Sequence, residues 1–234
     1  MGNQMREEPK PLAYRLFWIA FFALWMAYVE SAVVVYLRAL HYPDGFHFPI
    51  KFIPPETWWI EFGREAATLF MLTAVASLAG RKTVSRLATF LLGFGVWDIA
   101  YYAWLKVFLD WPDSLLTWDL LFLIPVPWVA PVLAPIIVSL SLIIGAVAVL
   151  DTDSRGFQFR FNKREWISLI LAFSLIFLSF ILEAPRIMGA ESSVPYHWEF
   201  FILGEIIGVT VLVHSLKRAR KTRTGKRPSR ETMD

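Results

Sequence analysis

"DSLLTWDLLFLIPVPWVAPVLAP", residues 113–135, decides how often this chain crosses a membrane. The stretch is apolar enough to read as the start of a span. Pro125, Pro127, Pro131 and Pro135 crowd it, however, and each proline removes a backbone donor and clashes with the preceding turn of a helix. Counting residues 114–124 as a separate span gives seven crossings and moves the basic C-terminal tail outside. Reading them as a short outer-side helix or re-entrant segment ending at Pro125 gives six. Such a segment is tolerable only where protein or water satisfies its backbone.

Composition sets the frame around that stretch. Of 234 residues, 56% are hydrophobic, 16% aromatic and only 18% charged, whereas soluble domains carry about 45–50% apolar and about 25% charged residues. The apolar residues fall into blocks of about 20, the length that crosses a bilayer as a helix. The expected fold is therefore all-α: a polytopic membrane helical bundle with six spans, near residues 12–40, 59–80, 84–109, 129–150, 166–188 and 196–216. The first apolar run is too long for a signal-peptide core and lacks a small-residue cleavage site after it, so it reads as an uncleaved span. With no cysteine in the chain, disulfides, zinc fingers and thiol catalysis are excluded.

Charge orients the bundle. The N-terminal segment, "GRKTVSR" (80–86), "DTDSRGFQFRFNKRE" (151–165) and the tail hold 18 of the 23 Lys and Arg residues, and all four share one side in the six-span count. The positive-inside rule then puts both termini in the cytoplasm, in a plasma membrane or bacterial inner membrane. Residues 1–216 read as a single transmembrane domain and 217–234 as a basic, disordered cytoplasmic tail. "KRARKTRTGKRPSR" (217–230) is expected to contact anionic lipid. No soluble domain accompanies it, so nucleic acid is not an expected partner, and nothing in the sequence names a protein partner.

Acidic residues sit where a membrane protein can least accommodate them. Glu30 in the first span and Asp98 in the third lie on the order of 15 Å inside their outer ends, at about 1.5 Å per residue. Glu65 and Glu205 are somewhat shallower, and Glu61, Asp119, Glu183 and Glu199 lie near the outer surface. The inner halves of the spans have no acid. Ionisable groups within a span cost at least about 2.5–3.5 kcal/mol each near its centre, and so face the bundle interior or a water-filled cavity. Glu61 and Glu65, four apart, share one helix face. Asp98 shares its face with Tyr101 and Tyr102, and Gly93 and Gly95 thin the third helix for a close neighbour.

The eight acids face four cations, Arg38, Arg64, Lys106 and Arg186, which leaves an acidic excess to be protonated, hydrated or neutralised by a bound cation. Ion pairs that only fix the bundle, such as Glu30–Arg38, Glu61 or Glu65 with Arg64, or Glu183–Arg186, are the plainer alternative. The outward hairpins also rhyme: each rises with an acid (Glu30, Asp98, Glu183) and returns with Trp and an acid ("WIEF", "WDLL", "WEFF"). The rhyme predicts that all three contribute to one site.

Oxygen donors of this kind suit a hard divalent cation, with Glu30, Glu65, Asp98 and Glu205 as ligands. His41, His47 and His197 have no paired spacing, the Glu-x-x-His pattern of diiron bundles is absent, and neither HExxH nor GxSxG occurs. "GFGVWD" (93–98) lies inside a span with no strand before it, which excludes a nucleotide-binding reading. Three functions remain. The first is an outward-facing site that binds or moves a cation, either a proton or a divalent metal. The second is a membrane-embedded enzyme using the same carboxylates with Arg38 and Arg64 for an anionic group, and the third is an accessory subunit of a membrane complex.

Overall fold

The computed structural model describes residues 11–42, 45–46, 55–80, 82–189 and 194–224. In chain order these form α1 (Leu12–His41), α2 (Pro55–Ala79), α3 (Thr83–Leu109), β1 (Trp118–Phe122), β2 (Trp128–Pro131), α4 (Leu133–Ser154), α5 (Lys163–Ile181), α6 (Ala184–Met188) and α7 (Trp198–Thr224). Five stretches are long and apolar enough to cross a membrane: α1, α3, α4, α5 with α6, and α7. Such a set is compatible with a multi-pass membrane helical bundle. The 25-residue α2 is as long as these, but carries Glu61, Arg64 and Glu65 in its first half.

The helix ends follow local chemistry. Asn162 caps α5: its side chain accepts from the Glu165 N–H at 2.9 Å, and the Glu165 carboxylate accepts from the Asn162 N–H at 2.7 Å. Each side chain thus satisfies a donor that the helix geometry leaves open. α7 continues past the expected Leu216 boundary to Thr224, and Arg218 on that extension pairs with Glu165. Residues 225–234 of the expected disordered tail lie outside the described residues, as does His47.

The 113–135 stretch contains no helix before Leu133. It forms an antiparallel hairpin in which Trp118 faces Pro131, Asp119 faces Ala130, Leu120 faces Val129 and Phe122 faces Trp128, with an irregularity between Leu120 and Phe122. The expected short helix at 114–124 is therefore corrected to a two-stranded hairpin, while the fold as a whole stays mostly helical, as expected. The prolines explain why. A residue that precedes proline is pushed out of the helical region toward extended backbone, and Ile124, Val126 and Ala130 all do so. Pro135 falls in the first turn of α4, where a missing N–H costs nothing. Two of that turn's other donors are met by the hairpin's approach: the Val132 N–H donates to the Thr117 carbonyl at 3.0 Å and the Leu133 N–H to the Leu115 carbonyl at 2.7 Å.

α3 is the hub, packed against α1, α2 and α4, while α7 packs on α5 and α4. Glycine sets the closest approach. A Cβ on Gly95 would sit 2.7 Å from the Ser139 carbonyl oxygen, so α3 and α4 meet there backbone to backbone. The hairpin lies over α4 and α5, with Val129 and Ala130 fully buried. At the far end of the bundle the basic segments are tied down: the Arg15 guanidinium donates to the Ala79 carbonyl at 2.8 Å, and Lys82 pairs with Asp153 at 2.6 Å.

Candidate functional site

A cavity of about 410 Å³ lies between α1, α2 and α3 where the hairpin closes over them. Its wall includes Glu30, Arg38, Glu61, Arg64, Glu65, Asp98, Tyr101, Tyr102 and Asp119, so nine of the twelve residues singled out by sequence meet in one place. The other three do not. Glu205 on α7 accepts from the Ser141 hydroxyl at 2.7 Å, beyond α4, and Glu183 and Glu199 belong to a separate cluster beside α6. Acids from two of the three hairpins of the rhyme thus line one cavity, and those of the third do not.

Within the cavity the two guanidiniums are already committed. Arg64 forms an ion pair with Glu30 and donates through Nε to Glu61 at 2.8 Å, and the Thr68 hydroxyl adds a hydrogen bond to Glu30 at 3.1 Å. Arg38 reaches across to Asp119 at 3.4 Å, with its guanidinium stacked 3.8 Å from the Trp111 ring centre and 4.4 Å from that of Phe46. The Tyr102 hydroxyl donates to the same Asp119 at 3.2 Å. The expected Glu30–Arg38 pair is replaced by Glu30–Arg64 and Arg38–Asp119. Lys106 pairs with Asp110 at the surface and does not enter the cavity.

Two carboxyls are left with uncharged donors alone. Asp98, on the α3 face toward α4, accepts from the Ser139 hydroxyl at 2.8 Å, and Glu65 accepts from the backbone N–H of Leu123 at the hairpin tip, at 2.9 Å. Ser139 and Ser141 are two residues apart on α4 and so point to different neighbours, one to Asp98 and the other to Glu205. The Glu65 contact has a structural consequence of its own: it fixes the hairpin tip over the cavity.

Aromatic side chains complete the wall: Trp58, Trp97, Tyr42 and Phe46. Trp97 is 4% exposed, and among the described residues its indole N–H has no hydrogen-bond partner. Sequence reasoning missed these rings. Phe46 and Trp111 lie in or beside loops, and nothing in their local pattern points toward Arg38.

The metal reading fares less well. Glu205 is apart from Glu30, Glu65 and Asp98, and among the described residues no three His, Asp or Glu side chains come together as a set that could hold a metal ion. Hard divalent ions require about six oxygens, and here Arg64, Arg38 and the hairpin backbone already divide the carboxylates among them.

No known protein family, curated protein or solved structure matches the chain. Function must therefore be read from the cavity.

A second acidic cluster sits at the start of α7. His197 lies between two carboxylates, with Nδ1 2.7 Å from Glu199 and Nε2 2.8 Å from Glu183, and Arg186 adds a second cation to Glu183 at 3.0 Å. Glu199 first and Glu183 second raise the His197 imidazolium above the ordinary histidine value. His197 thus joins the Glu183 end of α6 to the start of α7.

Proposed function

We propose that this chain is a six-span protein of a plasma or bacterial inner membrane with both termini in the cytoplasm, and that its α1–α2–α3 cavity opens outward and binds a cation. α2 is the sixth span. Its charges, the property that sets it apart from the other five, face the cavity wall. Clustering of 18 of the 23 basic residues in four segments supports the orientation, and the basic tail then lies against anionic lipid of the inner leaflet.

The observation that carries the cation reading is the commitment of both arginines. Arg38 and Arg64 are held by Asp119, Glu30 and Glu61, while Asp98 accepts only from the Ser139 hydroxyl, and Glu65, beside Arg64, takes its hydrogen bond from the Leu123 N–H. Buried carboxylates without a counter-charge either neutralise or bind a cation. Aromatic rings around them favour organic ammonium ions over a hard metal, because a ring face attracts a weakly hydrated cation. The deep half of the bundle carries no comparable acid, which supports binding and proton exchange at one face more than a complete transmembrane path.

The test adds tetramethylammonium to purified protein in detergent at low buffer strength with a pH-sensitive dye in the same solution. Saturable proton release on binding should appear with the wild type and fall to the protein-free background for Asp98→Asn, with an unchanged helical circular-dichroism spectrum. An Asp98→Asn protein as active as the wild type removes the reading.

A further inference from the structure

A second hollow, of about 570 Å³, runs along the seam between α1 and α2. Its sides are Trp18, Phe21, Trp25, Val29, Val33 and Met71, and its polar end is Glu30, Arg64 and Thr68. Those last three residues also line the inner cavity. The two spaces therefore share a wall, one side apolar and the other acidic.

The seam is loosely closed. α1 and α2 touch sparsely, whereas α1 packs closely along α3. Where α1 turns from the bundle it exposes a strip of aromatic side chains: Phe17 is 58% exposed, Trp18 48% and Trp25 48%. In a membrane this groove faces acyl chains, and no hydrophobic force between helices acts there to shut it.

We propose that the site takes an amphiphile: an alkyl chain lies in the α1–α2 groove and an ammonium head passes Glu30 and Thr68 into the acidic, aromatic cavity. This rests on the cation reading and adds the tail. Head chemistry follows from the charge count of the wall, where, among the described residues, Glu30, Glu61, Glu65, Asp98 and Asp119 outnumber Arg38, Arg64 and His41. The ring faces of Trp58 and Trp97 suit a quaternary or primary ammonium. The unpartnered, buried N–H of Trp97 calls for an oxygen acceptor beside that ammonium, such as a hydroxyl or ester. Tail chemistry follows from the groove, which offers an alkyl chain aromatic and aliphatic contacts and, before its polar end, no hydrogen-bonding group other than the tryptophan N–H of Trp18 and Trp25. An anionic head would meet the same five carboxylates and be repelled.

The test places the full chain in nanodiscs and uses an alkyltrimethylammonium with a photo-crosslinking group in its tail. Labelling should be saturable and concentrated on residues 17–33 and 67–71. It should be displaced by unlabelled alkyltrimethylammonium at concentrations at least about tenfold below those needed with tetramethylammonium, a difference of about 1.4 kcal/mol. The matched alkyl sulfate should not compete. Filling the groove with Val33→Trp or Ala67→Trp should remove the tail's advantage and leave tetramethylammonium binding intact. Labelling spread evenly over the lipid-facing residues of α4 and α5, or equal competition by the sulfate, overturns the inference. If tetramethylammonium binds and the tail adds nothing, the amphiphile falls and the cation site stands; if tetramethylammonium does not bind at all, the cation reading falls first.

Discussion

Two acidic regions lie on this bundle, and they are built on opposite principles. Beside α6, Glu183 meets both Arg186 and His197, and Glu199 meets His197, so every carboxylate there has a cationic neighbour. Within the α1–α2–α3 cavity, Arg38 and Arg64 serve Asp119, Glu30 and Glu61, while Asp98 and Glu65 rely on a serine hydroxyl and a backbone N–H. The first region is electrostatically complete and ties α6 to α7. The second is incomplete, and the groups left over face empty volume. The proposed cation site rests on that contrast.

Breaking the cavity's own ion pairs should have the largest effect. Arg64→Ala leaves Glu30 and Glu61 without their cation, and should lower unfolding stability by about 3–5 kcal/mol, the cost of stranding a buried charge. A thermal or denaturant unfolding series in detergent measures it, and a loss below about 1 kcal/mol means that Glu30 and Glu61 are solvated. Gly95→Ala comes next. Its new methyl meets the Ser139 carbonyl at 2.7 Å, which should cost about 1–3 kcal/mol and loosen the Asp98–Ser139 contact carried on the same two helices.

Glu65 separates charge from geometry. Glu65→Gln keeps an oxygen for the Leu123 N–H and should leave the hairpin in place, whereas Glu65→Ala strands that donor at a cost of about 1–3 kcal/mol. Hydrogen exchange at Leu123 reads the difference directly, and equal protection in both variants would mean the tip is held by other contacts.

The smallest effect belongs to the complete region. His197 titrates above the ordinary value of about 6.5 in the folded protein. Its clamp is therefore fully present below about pH 6.5 and is lost as pH rises through the raised folded value. The difference in melting temperature between wild type and His197→Gln should shrink as pH is raised from 6 toward 9. A difference that is flat or grows with pH would show that the imidazole is held neutral.

The same contrast separates what was legible in the sequence from what was not. Long helices can be read from apolar blocks because each satisfies its own backbone, and the first span was placed within a residue of α1. The hairpin was not. Its prolines were read correctly as helix breakers, but pairing of Trp118–Phe122 with Trp128–Pro131 is a relation between two segments, and a helix-first reading has no signal for it. Depth counting grouped Glu30, Glu65 and Asp98, which line one cavity, because depth follows from rise per residue. It included Glu205 wrongly, since depth carries no information about which neighbour a helix faces, and Ser141 on α4 turns Glu205 away from the cavity. Pairing across helices was equally out of reach: Arg38 goes to Asp119, and the rings of Phe46 and Trp111 that hold it come from distant loops.

The most direct measurement compares tetramethylammonium affinity, by calorimetry in nanodiscs, across Asp98→Asn, Glu65→Gln, Glu183→Gln and Glu199→Gln. The expected result is a loss of about tenfold or more for the first two, about 1.4 kcal/mol or greater, and a change within about twofold for the last two. Equal losses in both regions, or a loss confined to Glu183 and Glu199, would contradict the assignment of the cation site to the cavity.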